Sequence, residues 1–418
     1  MSGRPDPVRI DLAAPTFPAE IAELRASVAP MAEGLEFTAD GVMTAASAET
    51  GLDDFGEGAD GFVERLGVVM AALDAEAGLG AFGRISCHAQ VSQHVRNRLL
   101  VTDIWRRNPE IEEVEVAAPI IIGGLPRTGT THLHNLLASD PALRSLPYWE
   151  SLEPVPPVDE QRVWPWPIQP RRDRCTAGLD VVNTALPYFK RMHEMTTEHV
   201  HEEIQLLALD MSTMLLETMA PMPSWRDHYL AHDQTPHYRY LRRVLQVLQW
   251  ARGGSRWVLK SPQHIEQFPA MLAAFPDATF VVTHRDPVAV TLSMSTMITY
   301  ASWKALDPDE PDRLAAYWAD RIETMLRTCA EQRSVLPDDR TIDVRFDEFM
   351  ADEAAMIQRI YAVADQPFDD SVRAAFHAYM ADHPRGRHGT VVHDPEQLGL
   401  DLDERAEALA FYRDRFGV

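Results

Sequence analysis

Ile120-Ile121-Ile122-Gly123-Gly124-Leu125-Pro126-Arg127-Thr128-Gly129-Thr130-Thr131, followed by His132-Leu133-His134-Asn135-Leu136-Leu137, is the stretch whose reading decides the fold. A run of β-branched residues ends in glycines, a basic turn follows, and helical apolar spacing resumes. Strand, loop and helix in that order aim backbone N–H groups and a helix N-terminus at an anion. Gly124 and Gly129 stand where the pattern G-x-x-x-x-G-K-[ST] has its glycines. Thr130 occupies the lysine slot, and the cation sits inside the turn as Arg127. Such a loop suits a phosphate-bearing ligand and suits a nucleoside triphosphate poorly.

Working outward, the chain has 418 residues, 45% of them hydrophobic, enough for one large α/β unit with additions or for two ordinary domains. A formal charge of -24 argues against nucleic acid or an anionic membrane as partner, so an anionic ligand needs a local basic pocket. Cys87, Cys175 and Cys329 are isolated, without the spacing of a disulfide framework or a zinc site, which points to a reducing cytoplasm. Neither a secretory leader nor a membrane span is expected.

Residues 1–115 read as a mostly helical region packing on the core, with helical spacing over 62–73 and 85–100. Residues 116–418 read as the α/β domain, with helical insertions over about 150–250 that cap a substrate. Within them, the prolines from Pro154 to Pro170 exclude helix and central strand. That segment, with Trp164 and Trp166, forms either a rigid surface crossover or an aromatic wall of a cleft. The spacing predicts helix again from Asn183 to Met222. There His193-Glu194 lacks the second histidine of H-E-x-x-H, so no zinc site is expected. A further helix is expected over 235–252.

Two strand-helix units follow. Trp257-Val258-Leu259 leads into Lys260-Ser261-Pro262, and Thr279–Thr283 leads into His284-Arg285-Asp286-Pro287. Alternation at this spacing predicts a P-loop-like, doubly wound parallel sheet flanked by helices, with ligands beyond the carboxyl ends of the strands. Arg127, Lys260 and Arg285 are each expected just after a strand, on that one edge. A strand at 341–344 and helices over 312–334, 353–364, 368–381 and 404–415 complete the reading. Between the last two helices, Arg385-Gly386-Arg387-His388-Gly389 reads as an anion clamp in an acidic chain.

Gly124–Thr131 resembles the 5′-phosphosulfate-binding loop of sulfotransferases, which move a sulfuryl group from 3′-phosphoadenosine 5′-phosphosulfate (PAPS) to a hydroxyl or amine. Arg285 and Ser293 are similar to that family's 3′-phosphate-binding pair, and Arg385-Gly386-Arg387 to its C-terminal basic loop. The run from Thr50 to about Leu400 resembles the large bacterial, mycobacterial- or actinobacterial-type branch of the superfamily. The resemblance implies PAPS as donor and adenosine 3′,5′-bisphosphate as product, with no metal. It implies that Arg127, Lys260 and the loop amides stabilise charge on the departing oxygen. Thr128, Gly129, Thr130 and Thr131 are then expected to hold the 5′-phosphate, and Arg285, Ser293, Arg385, Gly386 and Arg387 the 3′-phosphate.

The histidine base of the best-known cytosolic branch is replaced here by Pro262. A glutamate then serves as base, with Glu202, Glu203 and Glu150 as candidates and His264 and His201 behind them. Trp164, Trp166, Met192, Met211, Met214, Tyr300 and Trp303 suggest a small hydrophobic acceptor, an aromatic alcohol or phenol; oligomerisation is left open. The rivals are a P-loop kinase using ATP, with Asp286 as its nearest magnesium ligand, and a non-catalytic nucleotide-binding protein on the same fold.

Overall fold

The computed structural model describes residues 5–306, 311–384 and 386–418. Its strands are β1 (Ile120–Gly123), β2 (Leu143–Arg144), β3 (Arg256–Ser261), β4 (Thr279–His284) and β5 (Thr341–Arg345). They form one parallel sheet in the order β2-β3-β1-β4-β5. All four residues of β1 are buried, as expected of a parallel strand covered on both faces. Alternation divides them. Ile120 and Ile122 pack with Leu133, Leu136 and Leu137 of the loop helix Thr130–Ala138, and with Val258 and Val281. Ile121 faces the other way, into the large core that holds Leu259, Phe280 and Val282.

That second core takes in the N-terminal region. Phe62, Leu66, Val69 and Leu73 of the Ala59–Ala75 helix and Val91, Val95 and Leu99 of the Ala81–Arg107 helix recur at helical spacing and are buried in the same cluster. Nearer the start, Val8 forms a parallel bridge with Val391: its N–H donates to Thr390 O at 3.0 Å, and its carbonyl accepts from Val392 N–H at 2.8 Å. Ile10 and Leu12 follow it into an apolar cluster with Met192, Tyr300, Trp303 and Leu398. The N-terminal segment is thus strapped across the loop after residue 390. No helix of the described residues is long and apolar enough to cross a membrane.

Three expectations need correction. Lys260 does not follow its strand but lies within β3, level with Ile122. The helix expected from Asn183 to Met222 is not there: the Gln169–Ala185 helix stops before Pro187, and only turns of three or four residues follow, from Phe189–Arg191 to Leu216–Thr218. Tertiary bonds to buried polar side chains override the local helical spacing here. The last helix is two, Leu402–Ala408 and Ala410–Phe416. The chain is helical again at Pro223–Ala231 and Thr235–Arg252. Of the two readings of the proline segment, the structure takes the surface crossover. Trp164 and Trp166 pack on Trp250, near the end of the Thr235–Arg252 helix that precedes β3.

Two buried ionic nodes hold the irregular segment down. Asp210 accepts from Arg65 at 2.5 Å, Arg98 at 2.7 Å and His237 at 2.5 Å. Arg321 pairs with Glu217 at 2.9 Å and with Glu266 at 2.7 and 2.6 Å. Arg321→Met strands two buried carboxylates and is expected to cost on the order of 3–5 kcal/mol in chemical unfolding. Replacing Glu217 and Glu266 by apolar residues in the same background should recover most of that loss. A change within 1 kcal/mol for Arg321→Met alone would show that water reaches the node.

Candidate active site

The loop after β1 turns through two left-handed residues, Arg127 at φ 73° and Gly129 at φ 88°. This curl gathers successive N–H groups around a concavity, and the first N–H groups of the Thr130–Ala138 helix open into it without intrahelical partners. Gly124 is dictated by space: a Cβ there would lie 1.9 Å from Thr283 Oγ1 and 2.9 Å from Thr130 Cγ2. Thr128 is not a free ligand. Its hydroxyl donates to Leu125 O at 2.7 Å and meets Thr283 Oγ1 at 2.7 Å, which locks the loop to β4. Thr130 is buried, and Thr131 stands at the concavity with its hydroxyl 3.4 Å from Lys260 Nζ.

Arg127 donates from Nε to Ser293 Oγ at 3.0 Å and from Nη1 to Met192 O at 2.5 Å. Arg285 donates to Arg127 O at 2.6 Å and lies over the Phe346 ring. Both thus rest on neutral groups, and neither has a carboxylate partner among the described residues. Burial, and then the charge of Arg285, pushes the Arg127 guanidinium below its usual range. Two half-buried cations side by side over a helix N-terminus, with no carboxylate hydrogen-bonded to either among the described residues, are an arrangement that favours an anion.

Lys260 closes the concavity from β3, its ammonium paired with the Glu202 carboxylate. Glu203 faces elsewhere. Fully buried, it accepts from Lys260 N–H at 2.9 Å with Oε2 and contacts His264 Nε2 with Oε1. Burial pushes its carboxyl up, but His264 and the backbone donors outweigh this and hold it below the usual range. Glu150 is not brought to this site. It is buried with Arg144 at 2.7 Å and Arg252 at 2.8 Å, by the end of β3 away from Lys260. His264 is held by Glu203 and by Tyr238 at 2.8 Å.

The C-terminal basic loop is engaged. Arg387 Nη2 lies 2.7 Å from both oxygens of Glu194, which also takes His388 at 2.8 Å. Gly386 turns through φ 70°. Arg385 lies outside the described residues.

His132 and His393 were given no role in the sequence reading, and His193 and His201 were named there only against a zinc site and as a reserve base, not as parts of one row. His193, His199 and His201 form a row with ring centroids 5.5 and 5.8 Å apart, continued by Tyr148 at 4.6 Å. Burial, with Lys260 and Arg127 adding to it, pushes His193 to about 3, so it is neutral at ordinary pH. His132 lines a groove of about 440 Å³ with Met350, Glu353, Met380, His383 and Pro384, beside the start of the loop helix. Its position next to Thr131 is the signal that could have found it. His393, whose Nε2 lies 3.0 Å from Ser293 Oγ, carries no sequence signal. Met211 and Met214 belong to the core, while Met192, Tyr300 and Trp303 cluster beside Arg127.

The sequence model of the sulfotransferase family matches residues 119–370. The structure is similar to that of sulfotransferase STF1 from Mycobacterium tuberculosis H37Rv, at 28% identity and a TM-score of 0.76, covering 89% of this chain and 98% of that one. It is likewise similar to sulfotransferase STF9 from Mycobacterium avium, at 28% identity and a TM-score of 0.77, covering 92% and 98% of the two chains. No curated protein matches the sequence.

Gly124→Ala is expected to cost about 1–3 kcal/mol, read as a lower denaturation midpoint. Adding Thr283→Ala should restore part of it; strict additivity would mean that the two sites are not in contact. Because folding lowers the Glu203 pKa, this group's stabilisation is complete above its unfolded value of 4.5 and is lost as pH falls through the lower folded value. Unfolding of wild type and Glu203→Gln should therefore differ at pH 7 and converge on acidification. A gap that widens with acid would reverse the assignment.

Proposed function

The chain belongs to the sulfotransferase family, and from that premise we propose that it transfers a sulfuryl group from PAPS to a hydroxyl of a small hydrophobic acceptor. The observation that carries this reading is the Lys260 ammonium, set between Thr131 of the anion loop and the Glu202 carboxylate. Donor and acceptor chemistry meet at that atom. The loop N–H groups and Thr131 receive the 5′-phosphosulfate. Arg127, Arg285 and Ser293 hold the 3′-phosphate, and the groove beside His132 is roomy enough for the purine. Arg387 joins the 3′-phosphate once it leaves Glu194.

In the transfer, the acceptor oxygen attacks sulfur while the bond from sulfur to the bridging phosphate oxygen breaks. That bond's electron pair stays on adenosine 3′,5′-bisphosphate, where Lys260 and the loop N–H groups stabilise the growing charge. The acceptor proton goes to Glu202, which Lys260 holds in position. Glu203 and Glu150, both buried and both committed to other partners, serve structure instead. The neutral row from His193 to Tyr148 supports an aromatic or otherwise apolar acceptor, because it offers ring faces without charge.

Transfer of labelled sulfate from PAPS to a panel of phenols and aliphatic alcohols tests the activity. Glu202→Gln should abolish turnover while bisphosphate binding persists, and Glu203→Gln should mainly cost stability. Arg285→Ala should weaken bisphosphate binding by about 10–100-fold, the loss of a charged hydrogen bond of about 1.5–3 kcal/mol. Tight binding of ATP with magnesium and none of bisphosphate would overturn the proposal.

A further inference from the structure

Ser293 Oγ is a shared point. Arg127 Nε–H donates to it at 3.0 Å, and His393 Nε2 lies 3.0 Å away on its other side. A guanidinium only donates, so the serine hydroxyl proton is available to His393 Nε2. When the serine donates, the imidazole proton lies on Nδ1, and Nδ1 is buried with no hydrogen-bond partner among the described residues. A buried N–H without an acceptor costs free energy unless a ligand takes it. The groups facing His393 are Arg127 from the β1 loop, Arg285 after β4 and Ser293 from the Pro287–Ser302 helix. On its own loop, Asp394 is turned to Arg9 of the N-terminal strap, 3.1 Å away, and to Gln397. No carboxylate therefore contacts this imidazole among the described residues, although it sits beside two cations.

We propose that His393 is a further ligand of the donor's 3′-phosphate, beside Arg127, Arg285 and Ser293, and that it takes up a proton from solvent when that phosphate binds. The inference rests on the donor reading above. A dianionic phosphate between Arg127 and Arg285 offsets their two positive charges and places an acceptor by the ring, so the second nitrogen gains a proton and both N–H groups face an acceptor. In the free protein, burial and then the two arginine charges push this histidine down to about 4, so the proton is absent before binding. A group whose pKa rises on binding makes binding tighter as pH falls between its free and bound values. The strap formed by Val8 and Val391 holds the loop in place, two residues before the ring.

Calorimetric titration of the full chain with adenosine 3′,5′-bisphosphate, in buffers of different ionisation enthalpy, counts the protons taken up. His393→Gln keeps both an acceptor for the Ser293 hydroxyl and an N–H but cannot titrate, and the nucleotide's own proton exchange is common to both proteins. Wild type should take up more protons than His393→Gln between pH 5 and 7. Its affinity relative to the variant should rise by up to about ten-fold per pH unit in that window. With adenosine 5′-phosphate, which lacks the 3′-phosphate, the difference should vanish. Equal proton uptake, or an affinity loss that is the same at every pH, would overturn the role of His393 while leaving the donor reading intact. Failure of wild type to bind bisphosphate at all would bring down the donor reading, and this inference with it.

Discussion

The site depends on one buried carboxylate. Glu203 reaches from an irregular segment to the backbone N–H of Lys260 in β3 and to His264 just beyond that strand. A buried charge is tolerable only when each oxygen is satisfied, so this contact admits one register of the segment against the strand. With Glu203 fixed, its neighbour Glu202 is carried to the Lys260 side chain, and His201, His199 and His193 follow around the same ammonium. One hydrogen-bonded anchor thus sets the geometry of the whole acceptor half.

The donor half is built on the opposite principle. Arg127 and Arg285 are left short of acid, and Arg127 adopts a left-handed conformation that a side-chain-bearing residue holds at a cost of roughly 1–3 kcal/mol. The fold absorbs these penalties through two well-packed faces of β1 and the lock of Thr128 on Thr283. On the proposed reading, a bound phosphate would relieve the repulsion between the guanidiniums. Ligand affinity and apo instability at this edge have the same electrostatic origin.

The strands and the loop that carry Arg127 and Arg285 were legible in the sequence, and the segment that carries Glu202 and Glu203 was not. Ile120–Ile122 and Thr279–Thr283 announce themselves because a strand buried on both faces must be apolar throughout, and the glycines after β1 are demanded by space. The pattern from Asn183 to Met222 misled because its buried polar residues answer to distant partners. Asp210 meets Arg98, Glu217 meets Arg321, and Glu203 meets Lys260, contacts that no local period encodes. Glu202 and Glu203 are adjacent and identical in type, so only the fold separates the one facing the lysine from the one holding the strand. Arg387 was read as a free clamp, yet Glu194 occupies it. His393 lies 100 residues beyond its partner Ser293 and could not be seen as its neighbour.

The irregular segment has a consequence for how such an enzyme diversifies. Its fixed points are few and widely spaced: Glu203, Asp210 and Glu217 each dock into a buried basic or backbone partner. The residues between and before them form only short turns, and His199 and His201 are tied through their main chain to Tyr148 and Leu146, bonds that do not depend on side-chain identity. Drift in side chains can therefore rewrite the ring surface around His193 and His199 while three acidic positions keep the backbone path, and on the proposed reading the choice of acceptor would change with it. In a lineage that evolves this way, substrate range would change quickly and the nucleotide edge slowly, within a single uninterrupted chain.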